Sequence, residues 1–363
     1  MEVNWSKLES DSCPSPREGQ CSCVTEDSMY VFGGVAHTET HADELVETNE
    51  LIKFSFAKNK WEKVIFHGEP PAARTGASLV AVGNSLYLFG GLSHSTGWFN
   101  DLFKFDINTN SWSPVDAEGA FPSPRDKLQG VAVGQWIYYF GGFGPKAVDL
   151  DDVDEDDEEW EEEESDELPT DQSGADFGWF NDLHVFDTVS KKWSHPMQMN
   201  LGVPTARAAH VMCAVDKQIV IFGGRDIEAR QNDVHIFNTE TRKWDTEMKI
   251  KGQKPEPRSF HAAVSIGSKL VVVGGRGTEN QHFADIHVFD CESKSWTQVK
   301  QSGTVPEGRS QQSLGVVGDK VIMYGGTADF CPEINACQRF FTDTYTFNTG
   351  DITKTQLQNG NHS

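Results

Sequence analysis

Positive charge is scarce in this sequence: 31 lysines and arginines stand against 55 aspartates and glutamates, a formal charge of −24. A nucleic-acid binder needs a basic face, so none is expected. No run approaches the roughly 18 apolar residues of a membrane span. Met1 to Leu8 hold neither a basic stretch nor an apolar core, so no secretory leader is expected. The seven cysteines are odd in number, and Cys21 and Cys23, two apart on a strand, point to one face instead of bridging. A reducing compartment, cytoplasmic or nuclear, follows as an expectation. Glycine-rich phosphate loops and nucleophile elbows are also missing, which leaves no cofactor and no enzyme as the expected reading.

The negative charge is unevenly spread. Between Asp149 and Glu167 lie 15 acidic residues, and without them 40 acids face 31 bases. The body of the chain is only mildly acidic, and the excess belongs to one tract.

What the sequence does contain is a repeat. Glycine pairs close apolar runs at Gly33-Gly34, Gly90-Gly91, Gly141-Gly142, Gly223-Gly224, Gly274-Gly275 and Gly325-Gly326, at intervals of 57, 51, 82, 51 and 51 residues. The long interval holds the acidic tract. A tryptophan stands 28 to 30 residues before each pair: Trp5, Trp61, Trp112, Trp193, Trp244 and Trp296. An arginine follows each tryptophan, at Arg17, Arg74, Arg125, Arg207, Arg258 and Arg309, and an acid opens a later strand at Glu50, Asp101, Asp182, Asp233, Asp285 and Asp343. Segments such as Lys217-Gln-Ile-Val-Ile-Phe222 alternate as half-buried strands do.

A period near 50 with four short strands, a double glycine and a tryptophan resembles the kelch repeat. The resemblance implies an all-β fold, a six-bladed kelch β-propeller with four antiparallel strands per blade. Residues 1–358 would form this single domain, residues 144–176 an unfolded acidic insertion in the third blade, and residues 359–363 a short tail. A lone blade cannot bury both faces, so blades pack radially and closure protects the ends. Trp5 to Leu8 are expected to supply the outer strand of the last blade, with Ile352 to Leu357 as the competing candidate.

Alternating strand directions put the arginine loops and the loops after the glycine pairs on one face. That mouth is expected to collect Arg17, Arg74, Arg125, Lys127, Arg207, Arg225, Arg230, Arg258, Arg276 and Arg309 as a basic rim. The six periodic arginines are expected to do a repeat's work, bonding carbonyls or acids of the neighbouring blade. Residues that break the repeat are better site candidates: Lys127, and Arg225 and Arg276, which replace apolar or small residues after other glycine pairs. Arg230 lies in the short loop Asp226-Ile-Glu-Ala-Arg230. Phe143, Trp179, Phe260 and Trp98 could line the same opening. Two arginines together can grip one carboxylate, at about 1.5–3 kcal/mol per charged hydrogen bond.

Lys127-Leu128, Gly178-Trp179, Arg207-Ala-Ala-His210, Gly223-Gly-Arg225, Ala229-Arg230-Gln-Asn-Asp233 and Arg258-Ser259 sharpen the resemblance. They are similar to the kelch domain-containing substrate receptors of cullin-RING ubiquitin ligases, which capture C-terminal diglycine degrons. The resemblance implies that Arg225, Arg230 and Ser259 hold a terminal carboxylate and that Lys127 and Trp179 line the approach. It departs at Phe143, where the family has tyrosine, and at Phe260 and Gln311, where it has tryptophan. The family's helical box for elongin and cullin has no counterpart in the residues after the last repeat. The implied partner is a protein or peptide with a free C-terminus, and by extension ubiquitin-ligase components.

Two other readings remain. The acidic tract Asp149–Glu167, with Trp160, could bind a basic partner such as a histone-like tail, the propeller only displaying it. Alternatively His37, His41, Asp43 and Glu44 could ligate a metal in a propeller enzyme, although a polar loop also accounts for them. His210 and His261 follow their arginines by three, which suits core or channel lining. Cys331 and Cys337 share a long loop without zinc-site spacing. Because the tract leaves from the basic mouth, it could compete with an anionic ligand there. Deleting residues 149–167 is then expected to tighten peptide binding at low salt, and an unchanged affinity in fluorescence polarisation would remove the competition.

Overall fold

The computed structural model describes residues 1–9, 12, 14–38, 41–146 and 176–353. The acidic tract Asp149–Glu167, the tail 359–363 and most of the competing closing segment lie outside the described residues. Those described are almost wholly β, consistent with a propeller of kelch repeats, and they contain six sheets each built on four antiparallel strands, three of which gain a fifth strand paired in parallel. In the fourth unit these are Val211–Val215, Gln218–Phe222, Val234–Asn238 and Lys243–Trp244. The sixth takes Ser313–Val317, Lys320–Tyr324 and Thr344–Asn348 from the end of the chain and Glu2–Leu8 from its beginning. Trp5 thus stands where a last tryptophan is due, while Gly350–Thr353 forms a short helix.

The sheets face one another in sequence, and six separate apolar clusters fill the spaces between neighbours. One of them joins the last unit to the first, packing Ile322 and Tyr324 with Met29, Val31 and Trp61. Each second strand is therefore covered on both faces. Ile219, Val220, Ile221 and Phe222 are all fully buried, where the alternating pattern suggested a strand with one wet face. The tryptophans reach across these spaces: Trp193 lies 5.0 Å from Phe89 of the preceding unit, and Trp61 lies 4.4 Å from Tyr324. Trp61 also donates its indole hydrogen to Thr344 Oγ1 at 3.0 Å.

The six periodic arginines are buried, at 2 % exposure or less. Each donates Nη1 to the carbonyl of its first repeat glycine at 2.9–3.2 Å. Each also pairs with the acid of its own repeat at 2.5–3.2 Å. The expectation of side-chain bonds to the neighbouring blade is corrected here. It is the arginine's carbonyl that serves the neighbour, from Arg74 to Arg309 accepting from the second glycine of the preceding unit, as Arg258 O does from Gly224 at 2.9 Å. This approach leaves no room for a side chain. A Cβ on Gly223 would sit 3.0 Å from Arg258 O and one on Gly224 2.8 Å from Ala208 O, both at positive φ.

Two residues after each arginine, the backbone turns left-handed, at Gly19, Gly76, Lys127, Ala209, Phe260 and Gln311. These six residues are chained by hydrogen bonds, each N–H donating to the preceding unit's carbonyl from Gly76 to Gln311 at 2.7–2.9 Å. At the seam the pattern changes. Gly19 N donates to Gln311 Oε1 at 2.9 Å, and Gln20 Nε2 donates to Gln311 O at 2.7 Å. Two amide side chains bridge the place where the chain's beginning meets its last repeat.

His210 and His261 enter the first strands of their sheets and are buried, which agrees with core lining. Burial, with Arg207 and Arg258 beside them, holds both imidazoles down to about 3. His261 donates Nε2 to Phe222 O at 3.2 Å, and in the last unit Gln312 Nε2 makes the equivalent bond to Val273 O at 2.8 Å.

Two predictions follow from this packing. Trp5→Ala is expected to cost about 3–5 kcal/mol in chemical denaturation, as Trp112→Ala should, and a loss well under ~1 kcal/mol would mean that the first strand does not hold the last sheet. Below their ordinary value of 6.5 the buried histidines take up protons only on unfolding. Their contribution is therefore complete above that value and is lost as pH falls. His261→Gln, which keeps the donor, should lose less stability than the unaltered protein between about pH 7 and about pH 5. Equal losses would exclude His261 as the acid-sensitive group.

Candidate functional site

In every unit a short bridge pins the arginine loop to the loop after the glycine pair. The partners are Arg17–Glu18 with Val35–Ala36, then Thr75 with Leu92, Asp126 with Phe143, Ala208 with Arg225, Ser259 with Arg276, and Ser310 with Thr327. Phe143, Arg225 and Arg276 therefore hold one equivalent position in three successive units. They border a central cavity of about 880 Å³, which Lys127, Trp179, Phe260, Gln311, Glu18 and Phe330 also line. Six of the eight residues singled out from the sequence thus share one cavity, and the other two, Arg230 and Ser259, stand directly behind Arg225 and Arg276.

The expected basic rim is much smaller than ten cations. Arg17, Arg74, Arg125, Arg207, Arg258 and Arg309 are all consumed in buried pairs, for the structural reason given above. Lys127 gives Nζ to Asp126 Oδ2 at 2.5 Å, and Trp98 Nε1 holds the other oxygen of that buried carboxylate at 3.2 Å. Lys127 is thus a neutralised wall of the approach. Among the described residues, three arginines at the mouth remain without an ion pair: Arg225, Arg230 and Arg276.

Arg230 is set by its neighbours. A backbone bridge ties it to Arg225, Nε donates to Ser259 Oγ at 3.0 Å, and Nη2 donates to Asn280 Oδ1 at 3.0 Å. Ser259 is fully buried, so its hydroxyl orients Arg230 from behind. Half-burial, with Arg276 and Arg225 alongside, pulls the Arg230 guanidinium down to about 10. Burial likewise lowers Arg276, whose guanidinium lies 3.9 Å over the Phe330 ring and 5.2 Å over Phe260. Its Nε is buried with no hydrogen-bond partner. Arg225 is exposed to the opening. Unpaired guanidiniums that repel one another in a partly dry site favour an anion.

The second and third units, next to Arg225, present aromatic side chains. Phe143 packs 5.1 Å from Trp179, and Trp98 lies 5.0 Å from Phe177. Gln311 lines the cavity too, but both its backbone carbonyl and its side-chain oxygen are engaged at the seam. Sequence reasoning overlooked Glu18, Asn280 and Phe330. Glu18 carried a signal, as an acid at the position after the arginine in a mouth read as basic. Phe330 and Asn280 carried none, since their hairpins vary from unit to unit.

The long loops of the first and last units, the first of them offered for metal chemistry, are hairpins. Val35–Thr38 pairs with His41–Glu47, and Thr327–Cys331 pairs with Ala336–Phe340, which carry Cys331 and Cys337. The side chains of His37, His41 and Asp43 lie outside the described residues. Among the described ones no group of three or more metal-ligating side chains gathers.

A family model, the KLHDC2/KLHL20/DRC7 Kelch-repeats domain, matches residues 1–176 and 170–326. Kelch domain-containing protein 1 of Homo sapiens is 30 % identical over 322 residues, which cover 86 % of this chain and 76 % of that protein. Kelch domain-containing protein 2 of Bos taurus is 29 % identical over 88 % of this chain and 77 % of its own length. Kelch domain-containing protein 3 of Rattus norvegicus is 26 % identical over 83 % and 75 %.

Proposed function

The chain belongs to the KLHDC2/KLHL20/DRC7 kelch-repeats family, whose propellers serve as protein-interaction modules, and on that premise we propose that it reads protein C-termini at the mouth of one six-bladed propeller. In this reading the six sheets are the blades of a single domain, residues 1–358, and the acidic insertion leaves from its third blade. The terminal carboxylate enters between Arg225 and Arg230, whose unpaired guanidiniums are the single observation that carries the proposal. Arg230 is held by Ser259 and Asn280 in advance of any ligand, so little ordering entropy is lost on binding. Phe143, Trp179 and Phe260 flank the last peptide groups, and Lys127 closes one side. No step of this reading calls for a cofactor or for catalysis by the protein. Delivery of the bound protein to a ubiquitin ligase would be a second step in the cytoplasm or nucleus.

The test is fluorescence polarisation with peptides ending in Gly-Gly, as free acids and as amides. Amidation, Arg225→Ala and Arg230→Ala are each expected to weaken binding about ten- to a hundredfold, the worth of one charged hydrogen bond. If no free C-terminus binds, the arginines are not a carboxylate clamp and the acidic tract becomes the better candidate for the working surface.

A further inference from the structure

Two arginines suffice to hold a carboxylate, and the mouth has three. Arg276 repeats the position of Arg225 one unit further on and reaches the same cavity. The acids nearest this cluster are mostly engaged elsewhere. Asp226 accepts from Thr205 Oγ1 and Gln231 Nε2 and from the backbone at Glu228 and Ala229. Asp329 pairs with Arg339 at 3.1 Å. Glu18 lines the same cavity, where burial raises its carboxyl against the lowering pull of Gln311 and Arg276, but it accepts from Gln311 and makes no ion pair with Arg276. A single carboxylate would therefore leave the site with surplus positive charge in a partly dry setting, and a second negative group would find a ready partner.

The placement of Arg276 favours an exchange with a ligand. Phe330 and Phe260 support the flat face of its guanidinium, which fixes the plane without using its hydrogens. Its buried Nε has no partner among the described residues, which is a costly state for a charged donor unless a ligand relieves it. The equivalent positions in the other units are Val35, Leu92, Phe143 and Thr327, none of them charged, besides Arg225 itself. The positive character is thus confined to two adjacent units, a span suited to one or two peptide residues.

We propose that the preferred ligand is a C-terminus carrying an acidic side chain in its last two residues, with Arg225 and Arg230 taking the terminal carboxylate and Arg276 the side chain. The inference rests on the C-terminus reading above and deepens it. A peptide ending in Gly-Gly would still bind through its terminal carboxylate and would leave Arg276 unanswered.

Peptides ending in Gly-Glu, Glu-Gly, Gly-Gln and Gln-Gly, with Gly-Gly as reference, are titrated against the full chain and its Arg276→Gln and Arg276→Lys variants. At least one glutamate peptide should bind about tenfold more tightly than its glutamine counterpart. Arg276→Gln should bring that ratio close to one, while Arg276→Lys, which keeps the charge, should retain part of it. Thermal melting of both variants confirms folding. Equal affinity for glutamate and glutamine peptides, or a preference undiminished in Arg276→Gln, overturns the proposal. Loss on amidation of the Gly-Gly peptide without any glutamate preference overturns this proposal alone. Binding that is indifferent to amidation overturns the C-terminus reading and this inference with it.

Discussion

A guanidinium buried in every repeat organises both the scaffold and its mouth. Each of the six binds a glycine carbonyl and an acid within its own unit, so three loop segments of that unit are tied at one point. Burying such a pair contributes little net stability, yet breaking one by removing a partner typically costs about 3–5 kcal/mol. The arginine therefore behaves as a constraint on geometry more than as a source of stability. Its backbone carbonyl extends the constraint sideways, because the preceding unit's second glycine donates to it. One residue thus fixes the loop within a unit and the contact between units.

The same constraint decides the electrostatics of the opening. Periodic arginines and periodic acids cancel, so the repeats present almost no net field at the mouth however many arginines they contain. Charge that departs from the repeat is left uncancelled unless a local partner meets it, as Asp126 meets Lys127. Arg225, Arg230 and Arg276 have no periodic acid to meet, and no other carboxylate pairs with them among the described residues. On a chain of formal charge −24 the three stand out by being unpaired, although they are few.

Much of the scaffold was legible in advance because period and strand pattern follow from local chemistry. Trp5 could be assigned to the last sheet because its unit lacked a tryptophan, and Glu2–Leu8 pairs with Thr344–Asn348 as that argument requires. The burial of the second strands was not legible, since alternation in Gln218–Phe222 says nothing about a sheet stacked on either side. The mouth was legible in part. Arg225, Arg230 and Phe143 could be placed there from strand direction alone. That Ser259 serves Arg230 from within, that Lys127 is neutralised by Asp126, and that Gln311 is drawn into the seam are contacts between repeats, and a one-dimensional pattern carries no record of them.

Gln311 shows why the seam and the site constrain each other. Five of the six junctions between left-handed residues are backbone bonds, and the sixth must join the first unit to a last unit that has already made its turns. The structure meets that need with side chains, Gln311 Oε1 accepting from Gly19 and Gln20 Nε2 reaching back to Gln311 O. A residue committed to closure is poorly placed to adapt to a ligand, so the seam side of the cavity is the rigid side. The unpaired arginines sit in the fourth and fifth units, where backbone bonds alone complete the junctions and side chains are free to differ. A peptide end is itself asymmetric, and a cavity of six equal sectors could not orient it. Orientation requires charge on one side of the opening, and here the fourth and fifth units carry it.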